Sequence, residues 1–493
     1  MIVTVTLVLL TILLIAFALR QKSNQLPPGP FCWPIIGNLI YVKRLEKKLG
    51  AKYLALMELS KMYNSGVIGL QLGSMYTIAV SDSKLVQQVC LNEKYDGRPW
   101  NEFIKLRNLG MKKGLTMNDG PEWKQLHNWT TRALRNVGFA KPAMIDLLVD
   151  ELAIIIEKLG DGGVRPLRPV FAPALINALW MLVSGTRASA NSSKLQRFIQ
   201  LIDHRSTYFD SAGGVLSAFP WLRYIAPEMS NYNIHFKMNV ELKSFLMDNI
   251  TEHKKRYIEG NEADFIDLFI KEMHNSKGQP DKANVYEDGN LIVTLVDFFI
   301  AGTGTTTATL DILFFQIANH QDVQRRLHEE IDAVIGPHRV PTLEDRKKMP
   351  YTEAIMTESQ RIRNVVPILP AHRTVEDTIL DGYKIPKDTM VLLNAESNNM
   401  DPELYPDPIS FRPERYINKD GIYQTPENLI LFGKGKRRCL GEIMARSAIF
   451  LIFVGIMQKY CLLPEPGKGY VNGEFVTGLM RELKPYKMLI VRR

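Results

Sequence analysis

The chain has 493 residues, 46% of them apolar, and a formal charge of +9. That apolar content suffices for one large core, and no Ser/Gly linker, low-complexity tract or fixed-period repeat divides the chain, which excludes a repeat array. The four cysteines, Cys32, Cys90, Cys439 and Cys461, lack paired spacing, which excludes a disulfide framework or a C-x-x-C zinc site and fits a reducing compartment. No nucleic-acid motif accompanies the basic excess, so the charge points to a membrane surface or an acidic protein partner.

Residues 1–19 are apolar apart from Thr4, Thr6 and Thr11, with Arg20 and Lys22 directly behind. As a helix they would span about 28 Å, close to the roughly 30 Å of bilayer hydrocarbon. No positive segment precedes them and no small-residue cleavage site follows, which predicts an uncleaved transmembrane anchor with the rest on the cytosolic side. Residues 20–37 form a basic, proline-rich hinge, Leu26-Pro27-Pro28-Gly29-Pro30 at its centre. Proline fixes φ and removes donors, so the hinge is stiff and extended.

Residues 38–493 read as one body, mainly α with small β-sheets. A helix is predicted over 51–63, and short strands over 67–80 with a turn at Gly73-Ser74. Helical patterns dominate from Asp119 onward. Residues 297–318 form an apolar helix with a polar, glycine-containing middle, and 321–335 an amphipathic one. Strands follow over 380–393 and hairpins over 471–491.

The densest signal is Phe432-Gly433-Lys434-Gly435-Lys436-Arg437-Arg438-Cys439-Leu440-Gly441, which reads Phe-x-x-Gly-x-Arg-x-Cys-x-Gly. Glycines let such a loop curl tightly. Turn N–H groups and nearby cations favour the thiolate. The loop resembles the haem-thiolate loop of the cytochromes P450, and the likeness, to the microsomal type, extends over essentially the whole chain. It implies the P450 fold with one N-terminal transmembrane helix, haem b held by Cys439 as axial ligand of the iron, and a push of electron density that favours O–O cleavage. Phe432, Gly435 and Gly441 complete the loop.

The resemblance implies further roles. Glu358-Ser359-Gln360-Arg361 with Arg415, in Phe411-Arg412-Pro413-Glu414-Arg415-Tyr416, matches the family's buried charge triad of Glu358, Arg361 and Arg415. Arg437, Arg98, Trp123, His127 and His372 match positions that bind the haem propionates. His127 stands where the family has arginine, one turn after the tryptophan; it is shorter and only partly charged. Ala301-Gly302-Thr303-Gly304-Thr305-Thr306 resembles the oxygen-activating segment, with Ala301, Gly302, Thr305 and Thr306 over the haem. Gly304 replaces the acidic residue that helps relay protons there, so water and the threonine hydroxyls are expected to carry them. By place in the family, Val365, Val366, Ile368, Leu369, Phe475, Val476 and Thr477 line the substrate pocket, the last three at a hairpin tip, and residues 101–115 form part of a lid.

The implied activity is insertion of one oxygen atom from O₂ into a hydrophobic small molecule, a lipid, terpenoid, steroid or xenobiotic, by hydroxylation or epoxidation. The implied partners are NADPH-cytochrome P450 reductase, docked on Lys434, Lys436, Arg438, Lys124, Arg132 and Arg135, with cytochrome b5 and membrane lipid, at the endoplasmic reticulum. The texture is that of the clan of animal drug- and steroid-oxidising enzymes, with an insect-like segment at 219–227. Gly304 leaves two alternatives open: a P450-fold hydroperoxide isomerase or dehydratase, and a non-enzymatic haem-binding protein.

Overall fold

The structure, a computed structural model, describes residues 25–187, 193–207, 214–478 and 480–493, together with the helical positions Thr6, Val8 and Thr11. The expected anchor over 1–19 and the first part of the hinge otherwise lie outside the described residues.

The described helices are α1 Leu39–Leu49, α2 Lys52–Tyr63, α3 Ser83–Leu91, α4 Glu102–Arg107, α5 Gly120–Asn136, α6 Pro142–Leu159, α7 Phe171–Ser184, α8 Ser193–Thr207, α9 Gly214–Ala218, α10 Leu222–Ile225, α11 Tyr232–Arg256, α12 Phe265–Asn275, α13 Pro280–Ala283, α14 Asp288–Asn319, α15 Gln321–Val334, α16 Pro350–Ile362, α17 Ala395–Asn399 and α18 Glu442–Lys459. The strands are β1 Val67–Leu72, β2 Met75–Val80, β3 Gly162–Arg165, β4 His372–Arg373, β5 Thr378–Leu380, β6 Tyr383–Ile385, β7 Met390–Leu393, β8 Tyr460–Leu463, β9 Phe475–Thr477, β10 Arg481–Leu483 and β11 Met488–Arg492.

The largest sheet runs β1-β2-β7-β4, with β2 and β7 parallel and the other pairs antiparallel. The hinge rests on its edge. Asn38 Nδ2 donates to the carbonyls of Pro30 (2.8 Å) and Phe31 (2.9 Å), while its Oδ1 accepts from Gln71 N (2.6 Å) in β1. One buried amide thus ties the proline-rich segment to the edge of the sheet.

Helix α14 begins at Asp288, earlier than the expected 297, because Leu291 to Val296, apolar but for Thr294, are buried on every side and give no face to read. The stretch Pro280–Asn319 is long and apolar enough to cross a membrane, yet it is largely buried inside the protein. Phe314 stacks on Phe171 of α7 at 5.5 Å and meets Phe453 of α18 at the same distance. Phe299 packs with Trp180 of α7 and Phe198 of α8. This helix is therefore the axis of the core, with α7 and α18 against its C-terminal half.

The core holds one carboxyl with a consequence for stability. Asp311 of α14 is 1% exposed, and Tyr486 Oη donates to it at 3.0 Å. Burial pushes its pKa from 3.8 up to about 6. A carboxyl raised in the folded state binds its proton more tightly there than in the unfolded chain. Folding stability therefore falls as pH climbs from 3.8 to about 6. Asp311→Asn should remove this slope and gain roughly 3 kcal/mol on wild type between pH 4 and pH 7.5. Urea midpoints at the two pH values check this; equal midpoint differences at both would refute it.

Candidate active site

The cysteine loop is shaped by two close contacts. Cys439 N donates to Phe432 O at 2.9 Å, closing the loop on itself. Gly433 and Gly435 take φ of 71° and 69°. A Cβ on Gly435 would lie 2.2 Å from Cys90 O in α3, so only glycine fits between loop and helix. A Cβ on Gly441 would meet only Cys439 Sγ, at 3.9 Å.

Cys439 retains solvent access and lines a cleft of about 930 Å³. Burial pushes its thiol pKa up, against the opposing pull of the Gly441 and Glu442 N–H groups and Arg438. A cation bound at the sulfur would favour the thiolate further.

The residues read as propionate partners converge. Arg98 is 4% exposed; its Nε donates to Thr116 O (3.0 Å) and its Nη1 to Pro370 O (3.0 Å) and Ala371 O (2.9 Å). Arg437 donates to the carbonyls of Asp96 and Asn118 and lies 3.6 Å above the Trp123 ring. His372 Nδ1 bonds Tyr95 O at 2.8 Å. Trp123 Nε1 donates to Leu115 O at 2.9 Å, and its ring lies 5.1 Å from His127.

Burial and the mutual repulsion of the two guanidinium groups pull Arg98 down to about 9; burial pulls Arg437 down to about 10. Burial, then Arg98, holds His372 well below its usual range, and burial, then Arg437, lowers His127. Asp119 offers little compensation. Despite burial, bonds from Arg98 N, Lys112 and Arg373 bring it down to about 2, and its oxygens face those groups. Carbonyls therefore take most of the donors, and the cluster is short of negative charge. It suits a dianion.

The charge triad forms as read. Glu358 and Arg361 are fully buried and pair through two bonds of 2.8 Å. Arg415 Nε donates to Glu358 Oε1 at 2.9 Å. Tyr416 Oη (3.1 Å) and Arg412 N (3.1 Å) donate to the same carboxylate. The remaining Arg361 donors reach Asn399 O and Pro408 O. Every polar group is satisfied, which makes a buried ion pair tolerable.

On α14, Ala301 and Gly302 are exposed although the helix around them is buried, so this stretch borders internal space. Thr305 Oγ1 donates to Ala301 O at 2.6 Å. Thr306 and Gly304 are buried, and the buried hydroxyls of Thr303 and Thr307 lack partners among the described residues. Helix α4 lies in the stretch expected as part of a lid. Arg107 Nη1 bonds Asp297 Oδ1 at 2.8 Å, and Asp297 Oδ2 accepts from Leu115 N (2.7 Å) and Thr116 N (2.9 Å), tying this stretch to α14.

The expected pocket wall divides. Val365, with Val366 and Phe475 beside it, packs against Ala308, Ile312 and Met480 of the α14 and β10 region. Ile368 and Leu369 belong instead to two clusters of the large sheet. Their chain turns into that sheet, and its core takes the side chains. Phe475, Val476 and Thr477 form β9, paired with β10.

A profile of the cytochrome P450 family matches residues 27–490. The chain belongs to the cytochrome P450 family. It is 32% identical to probable cytochrome P450 305a1 of Drosophila melanogaster over 99% of both chains. It is 33% identical to the farnesoate epoxidase of Bombyx mori, covering 99% of this chain and 98% of that one. To cytochrome P450 2J5 of Mus musculus it is 30% identical, over 99% and 96%.

P450 enzymes are monooxygenases that use haem b with electrons from NADPH through a reductase, and the residues here fit that group. The cleft holds one accessible sulfur, the cationic cluster lacks the two negative charges that propionates carry, and α14 presents glycine and alanine to internal space. Iron at the sulfur supplies binding and reductive activation of dioxygen. Sequence reasoning missed Tyr416 and Asp119. Tyr416 had a signal, its place beside Arg415. Asp119 had none, since its partners Arg98 and Arg373 lie far along the chain.

Gly435→Ala should abolish haem loading while Gly441→Ala retains it, as read by haem absorbance per protein. Glu358→Gln should cost about 3–5 kcal/mol by leaving two buried guanidinium groups short of charge. Loss of soluble, haem-loaded protein would report it; a normal denaturation midpoint would refute it.

Proposed function

We propose that this P450 is a single-pass protein of the endoplasmic reticulum membrane that oxidises a farnesoate-like terpenoid or a related apolar lipid by epoxidation or hydroxylation. The observation that carries the catalytic reading is the Cys439 loop, held by the Gly435–Cys90 approach with its sulfur open to the cleft. Similarity to a farnesoate epoxidase supports the substrate class. Apolar Val365, Val366, Phe475 and Met480 beside α14 support a hydrophobic substrate.

The chain's own residues act as follows. Arg98, Arg437 and His372 bind and neutralise the propionates. Trp123 and His127 support Arg437 from its stacked face. Thr305 Oγ receives and passes protons beside the reacting oxygen. It already donates to Ala301 O, so its lone pairs are what it offers a water. With Gly304 lacking a carboxylate, those protons come from water, with Thr306 beside the route.

The anchor over 1–19 is supported by its apolar length. Trp221, Tyr224, Ile225 and Met229 are exposed around α10 and support a second, shallow contact with lipid. The cysteine face supports docking of reductase and cytochrome b5. Arg438 is exposed on its bond to Glu442, Lys436 pairs with Glu93, and Lys434 turns inward to Gln87, leaving Lys436 and Arg438 of the three to meet a partner.

The reduced, CO-bound spectrum of the purified protein should show the red-shifted Soret band of thiolate ligation, and Cys439→Ala should lose it. Product from a farnesoate-type terpenoid should require NADPH and reductase together. Gly304→Glu should raise product per NADPH several-fold. Turnover of a fatty-acid hydroperoxide without NADPH, and none of terpenoids with it, would overturn the assignment.

A further inference from the structure

Away from the haem face, three metal-ligating side chains meet in the interior where α11 ends and α12 begins. His253, Asp264 and Asp267 are 2%, 1% and 7% exposed, and one ligand atom from each lies within 4.8 Å of the others. Helix geometry explains the meeting. His253 sits on the buried face of the last turn of α11; Asp264 caps α12, its Oδ1 accepting from Asp267 N at 2.9 Å. Asp267 is thereby held one turn in, beside the cap.

His253 has the orientation of a ligand. Its Nδ1 bonds the Asn249 carbonyl at 2.8 Å, so Nδ1 carries the proton and Nε2 presents its lone pair inward in the neutral ring. Metal-binding histidines are fixed in this way. Nε2 is 3.0 Å from Asp264 Oδ2, where a protonated ring donates to the carboxylate and a neutral ring can share a cation with it.

The place of that cation is marked. Nη2 of Arg256 lies 2.6 Å from His253 Nε2, 3.4 Å from Asp264 Oδ2 and 3.4 Å from Ser184 O. Three acceptors converge on this one nitrogen, yet its side chain is 44% exposed and free to swing out. One guanidinium does not complete the site. Asp267 Oδ1 is buried without a partner among the described residues.

We propose that His253 Nε2, Asp264 and Asp267 form a site for a divalent transition metal, Zn²⁺ by its one-nitrogen, two-oxygen donor set, with Arg256 as the side chain the ion displaces. The donors suit four-coordinate zinc, with the Ser184 carbonyl or a water completing the shell. The ion would strengthen the α11–α12 junction that the His253–Asp264 and Arg256–Asp264 contacts already span. Its role is to clamp two helices; it takes no part in oxidation.

The test is calorimetric titration of the haem-loaded, chelator-dialysed full chain with ZnCl₂, with metal counted after gel filtration. Wild type should retain one zinc lost in His253→Ala and Asp267→Asn. Loss of an outer partner alone costs about 10–100-fold in metal affinity, so loss of a ligand should weaken binding at least that much. Arg256→Gln, at a half-exposed position, should fold normally and bind zinc several-fold more tightly, its competitor removed. The proposal is overturned if wild type retains no zinc, if the two ligand variants bind it unchanged, or if Arg256→Gln binds no more tightly.

Discussion

Glu358 is the point on which the cysteine face is built. One fully buried carboxylate accepts from Arg361, Arg415, Tyr416 and the Arg412 backbone, drawing α16 and the 411–416 segment onto one spot. Arg361 continues to Asn399 O and Pro408 O, so the same pair also fixes the segment that leads toward the cysteine loop. Desolvating three charges is costly, and what offsets the cost is that every donor and acceptor finds a partner. A partial version of this arrangement would be worse than none. The loop that carries Cys439 therefore inherits its position from a site with no chemical part in oxidation.

From there the site is assembled by close backbone approach and by charge. Gly435 lets the loop touch α3, and Arg437 leaves the loop to stack on Trp123 and bind the carbonyls of Asp96 and Asn118. Arg98 and His372 arrive from the large sheet and its approach. On the opposite side α14 is held by aromatic packing along its length, with its small residues left facing internal space. The 102–116 stretch is tied to the same helix through Asp297, which accepts from Arg107 and from Leu115 N.

Local signals were legible where chemistry restricts the residue. The Cys439 loop, the Glu358–Arg361 spacing and the Ala301–Thr306 segment could be read because few side chains can do those tasks, and the helix over 321–335 because its apolar period is clean. The start of α14 could not be read, since a helix buried all round has no period. The pocket wall was read by place along the chain, which gives no sign that Ile368 and Leu369 pack into the core of the large sheet. Asp119 and Asp297 were invisible for a different reason. Their partners are backbone amides and arginines brought near only by the fold.

The shortage of negative charge around Arg98, Arg437 and His372 reaches beyond binding geometry. A dianion bound between Arg98 and Arg437 would relieve their mutual repulsion, so a bound porphyrin would stabilise the fold as well as equip it for chemistry.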